Sequence, residues 1–148
     1  MNLNIKLLND QAVIPKYATT GSACFDLATD GNVEYDSAGN AICGTGLAFE
    51  VPENHVMLIF SRSGHGFKYD ISLSNAVGVI DSDYRDEVKI KLKAESLTGQ
   101  EVLDGIKQGD RLAQAIVLPY QPAFITVVDQ LSDPGTGRNG GFGSTGVN

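Results

Sequence analysis

Three short stretches carry residue types that could handle a flat, charged molecule. Asn75–Tyr84 (Asn-Ala-Val-Gly-Val-Ile-Asp-Ser-Asp-Tyr) begins with an amide, crosses an apolar run broken by Gly78, and ends in Asp81, Asp83 and Tyr84. Val77, Val79 and Ile80 favour extended backbone, and Gly78 lets another group approach that backbone closely. The stretch reads as a β-hairpin-like finger, a pocket for something flat and polar with a carboxylate beside it. The plain alternative is a buried strand followed by an acidic turn. Arg62-Ser63-Gly64 sets a guanidinium, a hydroxyl and a glycine amide in succession, which suits a phosphate clamp. Its alternative is a surface turn. Gly109–Gln114 places polar groups at the start of an apolar strand. Gln114 interrupts that strand, so its amide is either satisfied in the core or aimed at a ligand.

Other candidate chemistry falls away. Gly135-Thr136-Gly137-Arg138-Asn139-Gly140 matches Gly-x-Gly-x-x-Gly, but no segment after it is long enough for the helix that should hold a pyrophosphate. Backbone amides of a Gly-rich tail wrap phosphates without a helix. His55 and His65 lack metal-site spacing, and neither sits in a nucleophile motif. Cys24 and Cys43 lack Cys-x-x-Cys spacing and read as structural or buried thiols. With so few soft ligands, a metal here is a hard cation held by oxygen, and Mg²⁺ carried on substrate phosphates fits best.

The elements that must position these residues are short strands. Ile5–Leu8 is an apolar run closed by Asn9-Asp10. Leu47, Phe49 and Val51 alternate with polar or small residues, Pro52-Glu53-Asn54 turns, and Val56, Leu58 and Phe60 resume the alternation. That pair predicts a hairpin. Glu87–Glu95 is the cleanest strand, with Val88, Ile90 and Leu92 inward and Lys89, Lys91 and Lys93 outward. Thr98-Gly99-Gln100 reads as a turn back. Leu112–Leu118 and Phe124–Val128 are two further apolar runs, separated by Pro119 and Pro122. No segment shows sustained helical periodicity, although Ser61–Lys68 has room for a turn or two. The pattern predicts an all-β barrel or sandwich. Residues 1–132 form its single domain. Residues 133–148 read as a flexible Gly-rich tail, in which Phe142 hints at docking.

Composition sets the frame. A chain of 148 residues, 42% hydrophobic and 20% charged, suits one soluble domain with a real core. The net charge of -7 argues against a nucleic-acid surface. It permits a phosphorylated small molecule where a few arginines and a metal ion gather locally. No apolar run is long enough to span a bilayer and no signal-peptide region opens the chain, so the expected compartment is the cytosol.

Taken in order, these stretches resemble the five motifs of the trimeric dUTP diphosphatases (dUTPases). Gly21–Leu27 is similar to the first motif and Ser61–Gly64 to the second. Asn75 with Gly78–Arg85 is similar to the third, Gly109–Gln114 to the fourth, and Gly140–Gly146 to the fifth. The resemblance implies a distorted β jelly-roll subunit, a homotrimer with active sites shared between neighbours, and a C-terminal lid. It implies hydrolysis of dUTP to dUMP and pyrophosphate with Mg²⁺, which supplies dUMP for dTMP synthesis and keeps uracil out of DNA.

The residue roles below are those the resemblance implies. Asp81 orients and deprotonates the water that attacks the α-phosphorus; a carboxylate with an ordinary pKa of about 3.9 is ionised and ready to accept that hydrogen bond. Asn75 and backbone around Val77–Val79, Gly78 included, read the edge of uracil. Ile80 lies between base and sugar contacts, Tyr84 packs on the deoxyribose and refuses a 2′-hydroxyl, and Lys89 touches substrate less decisively. Arg62, Ser63 and Gly64 hold phosphates. Gln114 acts at the phosphates and metal-water shell, and Asp26 supports the metal through water or serves as a strand-end structural carboxylate. Phe142 stacks on the uracil, with Gly143, Ser144 and Thr145 near the phosphates. Arg138 sits one residue closer to Phe142 than the family pattern has its arginine. Further departures are Cys24 for a usual glycine, Ser61 for a proline, His65 for an apolar residue and Asp86 for a glycine. Two rival readings are a dCTP deaminase on the related fold and a non-catalytic module read by a regulatory protein partner. The Ile80–Tyr84 segment and the Gly-Gly-Phe tail stand against the first, and the intact Asp81 against the second.

Overall fold

Alternating apolar residues divide the chain between two facing sheets. The computed structural model describes residues 1–137, 140 and 141. One four-stranded sheet has the order β2 (Phe25–Ala28), β10 (Arg111–Pro119), β6 (His55–Ser61), β8 (Gly78–Ile80). The other runs β3 (Val33–Tyr35), β4 (Ala41–Gly44), β9 (Lys89–Ala94), β7 (Ile71–Leu73). A two-stranded piece, β1 (Asn4–Leu7) with β5 (Leu47–Glu50), completes the β framework, and every pairing is antiparallel. Antiparallel sheets packed through one apolar face give the jelly-roll-like all-β fold expected from the pattern of short strands.

Leu27, Met57, Ile59, Ala113 and Ala115 of the first sheet close on Cys43, Ile71, Leu73, Ile90 and Leu92 of the second. Each is almost fully removed from water. Val88, Ile90 and Leu92 face inward and Lys89 and Lys91 outward, as their alternation requires. Burial lifts the Cys43 thiol to about 11, so this cysteine is an inert core filler.

Several expectations are corrected. β5 and β6 are not a hairpin: β5 pairs with β1, and β6 lies between β10 and β8 in another sheet. Pro52–Asn54 therefore carries the chain from the two-stranded piece into the first four-stranded sheet, with Asn54 in the left-handed region at φ 60°. Along β6 the residues turned to the core are Met57 and Ile59, while Val56, Leu58 and Phe60 are half-buried on the other face. A strand inside a sheet is apolar on both faces, so alternation alone did not reveal its phase. Thr98-Gly99-Gln100 is the first turn of a helix, α2 (Leu97–Asp104), capped by Ser96 Oγ, which accepts from Gly99 N at 3.0 Å. Ser61–Lys68 does hold a short helix, α1 (Ser63–Tyr69). Phe124–Val128 forms no strand, and Phe124, Ile125 and Val127 are exposed.

Candidate active site

The finger residues belong to a seam between the two sheets. β7 and β8 are not paired with each other, because β7 joins β9 and β8 joins β6. The expected hairpin is instead a tight crossover, held by Ala76 N to Leu73 O at 3.2 Å and Val77 N to Asn75 O at 2.7 Å. Ala76 takes a left-handed φ of 62° to make the turn. Ser74 N donates to Lys91 O at 2.9 Å and anchors the loop to β9. Gly78 sits against the core: a Cβ there would lie 3.1 Å from Ile59 Cβ, so Ile59 would have to give by a few tenths of an ångström. The close approach predicted at this glycine is thus made by a core side chain.

Between the crossover and β9 lies a cleft of about 400 Å³. Asn75, Gly78, Val79, Ile80 and Lys89 line it, together with Ile59, Leu73, Ser74, Ile90 and Lys91. Its size is within the range of small-molecule sites. β8 is the outer strand of its sheet, so backbone groups on its free side have no strand partner among the described residues. Such a row of donors and acceptors can pair with the edge of a planar heterocycle. Ile59, Leu73 and Ile90 supply an apolar floor for its faces, and they and Ser74 were not foreseen. Ile90 lies on a strand read only as core, and Ile59, Leu73 and Ser74 were not singled out in the sequence.

Asp81 follows β8 and is exposed. Tyr84 N donates to Asp81 O at 3.2 Å to close a turn, and the Tyr84 hydroxyl donates to Glu87 O at 2.9 Å. Neither Asp81 nor Tyr84 lines the cleft within this chain. Lys89 Nζ stands 3.8 Å from Glu87 at the rim.

The clamp residues form a second, separate cleft of about 330 Å³. Arg62, Ser63, Gly64, Gln114 and Asp26 border it, with Ser22, Cys24 and Arg111. β2, β10 and the end of β6 bring them together: Gln114 lies opposite Asp26 on one side and Phe60 on the other. Gln114 Nε2 donates to Ser61 O at 2.9 Å, which fixes the amide and leaves its oxygen for a ligand. Arg62 Nε donates to Asp26 Oδ1 at 3.0 Å, and Arg111 Nη1 to Asp26 Oδ2 at 3.1 Å. Ser61, one of the departures from the family pattern, accepts from Leu73 N at 2.9 Å and ties β6 to β7. Behind the clamp, His65 lines a cavity of about 300 Å³ together with Arg62, Asp110, Arg111 and Leu112. Its Nδ1 is buried with no hydrogen-bond partner. Arg111, passed over in the sequence, was visible there only as a cation beside Gln114.

Among the described residues no group of three His, Cys, Asp or Glu side chains converges on one point. The Asp26 carboxylate in the phosphate cleft is an oxygen donor of the kind Mg²⁺ takes, and it fits that ion. Among the same residues no helix is long and apolar enough to cross a membrane. Arg138, Phe142, Gly143, Ser144 and Thr145 lie outside the described residues.

Known proteins share both sequence and fold. The dUTPase family model matches residues 10–146. A deoxyuridine 5'-triphosphate nucleotidohydrolase of Nautilia profundicola is 44% identical over 146 residues, 99% of each chain. One from Wolinella succinogenes is 39% identical over 99% of this chain and 95% of its own. Among solved structures, the dUTPase of Staphylococcus bacteriophage 80alpha superposes with a TM-score of 0.83 at 24% identity, covering 99% of both chains. That of phage phi11 of S. aureus gives 0.74 at 23% identity, over 88% of this chain and 98% of that one. The matched span takes in both clefts and the Gly-rich end, and the chain belongs to the dUTPase family.

Proposed function

We propose that the protein hydrolyses dUTP to dUMP and pyrophosphate in the cytosol, as a homotrimer whose active sites are shared between subunits. The observation that carries this is the match of the dUTPase model over residues 10–146, which includes every stretch singled out for chemistry. The two clefts support the shared site. They have no lining residue in common, and Asp81 and Tyr84 line neither, so one chain alone offers a base pocket and a phosphate pocket as separate halves.

In this reading the free side of β8 and the Asn75 amide pair with uracil. Cytosine exchanges a carbonyl for an amine, so donors would face donors, and unpaired buried polar groups reject a wrong partner strongly. Thymine is refused by its methyl group against the narrow crossover. Val79, Ile80 and Lys89 bound the base and sugar, and Tyr84 excludes a 2′-hydroxyl. Arg62, Ser63, Gly64 and Arg138 hold the phosphates. The segment 133–148 closes over the nucleotide, with Phe142 on the base and Gly143, Ser144 and Thr145 toward the phosphates. Asp81 accepts the proton of the attacking water, and the α-phosphorus passes its bond from the bridging oxygen to that water. Bound Mg²⁺ would neutralise charge on the triphosphate, with Gln114 and Asp26 reaching it through water.

Phosphorus NMR of products from dUTP, dCTP and UTP tests the proposal. Pyrophosphate is expected from dUTP alone. Asp81→Asn is expected to keep binding an imido analogue of dUTP while turnover falls about 10²–10⁴-fold. Conversion of dCTP to dUTP, or near-normal turnover by the variant, would overturn it.

A further inference from the structure

Arg62 has little of its own to hold it in place. It precedes α1, a helix with no buried side chain, and its side chain makes no capping bond there. Its fixed contacts are the Asp26 carboxylate, where it meets Arg111, and the Arg111 carbonyl, which accepts from Arg62 Nη1 at 3.5 Å. Two guanidiniums on one cleft repel each other, and the carboxylate between them removes that cost while leaving a net positive charge.

Arg111 reaches Asp26 because β10 is irregular. Arg111 and Ala113 lie opposite consecutive residues of β2, Ala28 and Leu27, so Leu112 is an extra residue in the ladder. Leu112 and Ala113 are both buried as a result, and the phase of the strand reverses before them. A regular strand would turn Arg111 to the same face as Ala113, into the core. The bulge turns it out to the face of Gln114, as bulges beside active sites do.

We propose that Arg111 is a positioning residue: through the shared Asp26 carboxylate it holds the Arg62 guanidinium at the phosphate cleft. A carboxylate has about four lone-pair sites, so two arginine contacts leave room for a water-mediated metal contact as well. Arg62 and Asp26 are about one-fifth exposed, so their pair is less screened than one at the open surface, whereas the Arg111 side chain is 56% exposed and its pair is more screened. Nε is held by Asp26 and one Nη1 hydrogen by the Arg111 carbonyl, so Arg62 keeps Nη2 and the second Nη1 hydrogen for phosphate. An acidic protein attracts a triphosphate only through such a local cluster.

The inference rests on the dUTPase reading for its ligand, and the experiment separates the two. Arg111→Met, Arg111→Lys, Arg62→Lys and the double variant Arg62→Lys/Arg111→Met are compared with the unaltered chain. Affinity for an imido analogue of dUTP is expected to fall about tenfold in Arg111→Met, the loss of one charged hydrogen bond's worth. Deoxyuridine affinity is expected to move less than about twofold, because only the phosphates are affected. Arg111→Lys should recover most of the loss, since a point charge still pairs with Asp26. In the Arg62→Lys background Arg111→Met should add less than about twofold. Without any ligand, the Arg62 Nε–H signal in proton–nitrogen NMR should exchange faster with water in Arg111→Met. Additive effects would make Arg111 a direct phosphate contact and overturn the proposal. So would an unchanged Arg62 signal, or equal losses for deoxyuridine and the analogue. Failure of the analogue to bind the unaltered chain would sink the dUTPase reading, with the Arg62 signal still deciding the role of Arg111.

Discussion

His65 shows how one side chain departs from its family pattern and alters the response to pH. It fills a position behind the phosphate clamp where an apolar residue is usual, and its Nδ1 has lost water without gaining a partner. Burial first, and Arg62 next, push the imidazole below its ordinary value; the Leu112 backbone and Asp110 oppose this only in part, and Arg111 adds to it. The folded protein therefore binds fewer protons than the unfolded chain once pH falls below about 6.5, the usual histidine value. Its contribution to stability is whole above that pH and is lost as pH falls toward the lowered folded value. Melting temperature should accordingly drop between pH 7.5 and 5.5, and His65→Leu should flatten that drop. Melting curves of both proteins across this range check it; parallel slopes would mean that another group titrates. At this scale Arg62, Ser63, Gly64, Asn75 and Gln114 were singled out by residue type alone, and each lines one of the two clefts. Arg111 was not, since its use depends on where a bulge turns it.

α2 illustrates what an element conceals. Ser96 is a good N-cap, and Val102, Leu103 and Ile106 face the core behind it, yet Gly99 in its first turn reads as a loop residue. Packing requires that glycine. A Cβ there would lie 2.2 Å from Tyr69 O, the carbonyl at the end of α1 that also accepts from Ser96 Oγ at 3.0 Å. Backbone cannot yield as a side-chain tip does, so Gly99→Ala should destabilise by about 2 kcal/mol or more and lower the melting temperature by roughly 5–10 °C. A shift of only a degree or two in thermal denaturation would show that the two helices separate freely. The same reasoning explains β6. Flanked on both sides by β10 and β8, it is apolar on both faces, and its phase is set by neighbours distant in sequence.

For the molecule as a whole, the separateness of the two clefts is the main consequence of the fold. The exposed segment after β10, with Phe124, Ile125 and Val127 in solvent, leads out of the sandwich toward the Gly-rich end. In the proposed enzyme that end completes the site, so its loss should act on chemistry more than on assembly. A chain ending before Gly137 is expected to lose at least about tenfold in kcat, because closure aligns the phosphates, while its mass in solution stays that of the full assembly. Steady-state kinetics with light scattering measures both. A dissociated assembly with unchanged kcat would assign the end a structural task.

The order of motifs, the all-β class and the residue types of both clefts were determined by the sequence itself. Each depends on local backbone preference or on the chemistry of a side chain. Tertiary structure decided which strands pair, that the Asn75–Tyr84 finger is a crossover between sheets, and that Gly78 makes room for Ile59. It also decided that Asp26 holds two arginines. These depend on contacts between residues far apart in the chain, where a single bulge reverses which side chains meet, and periodicity along one strand carries no record of its partner.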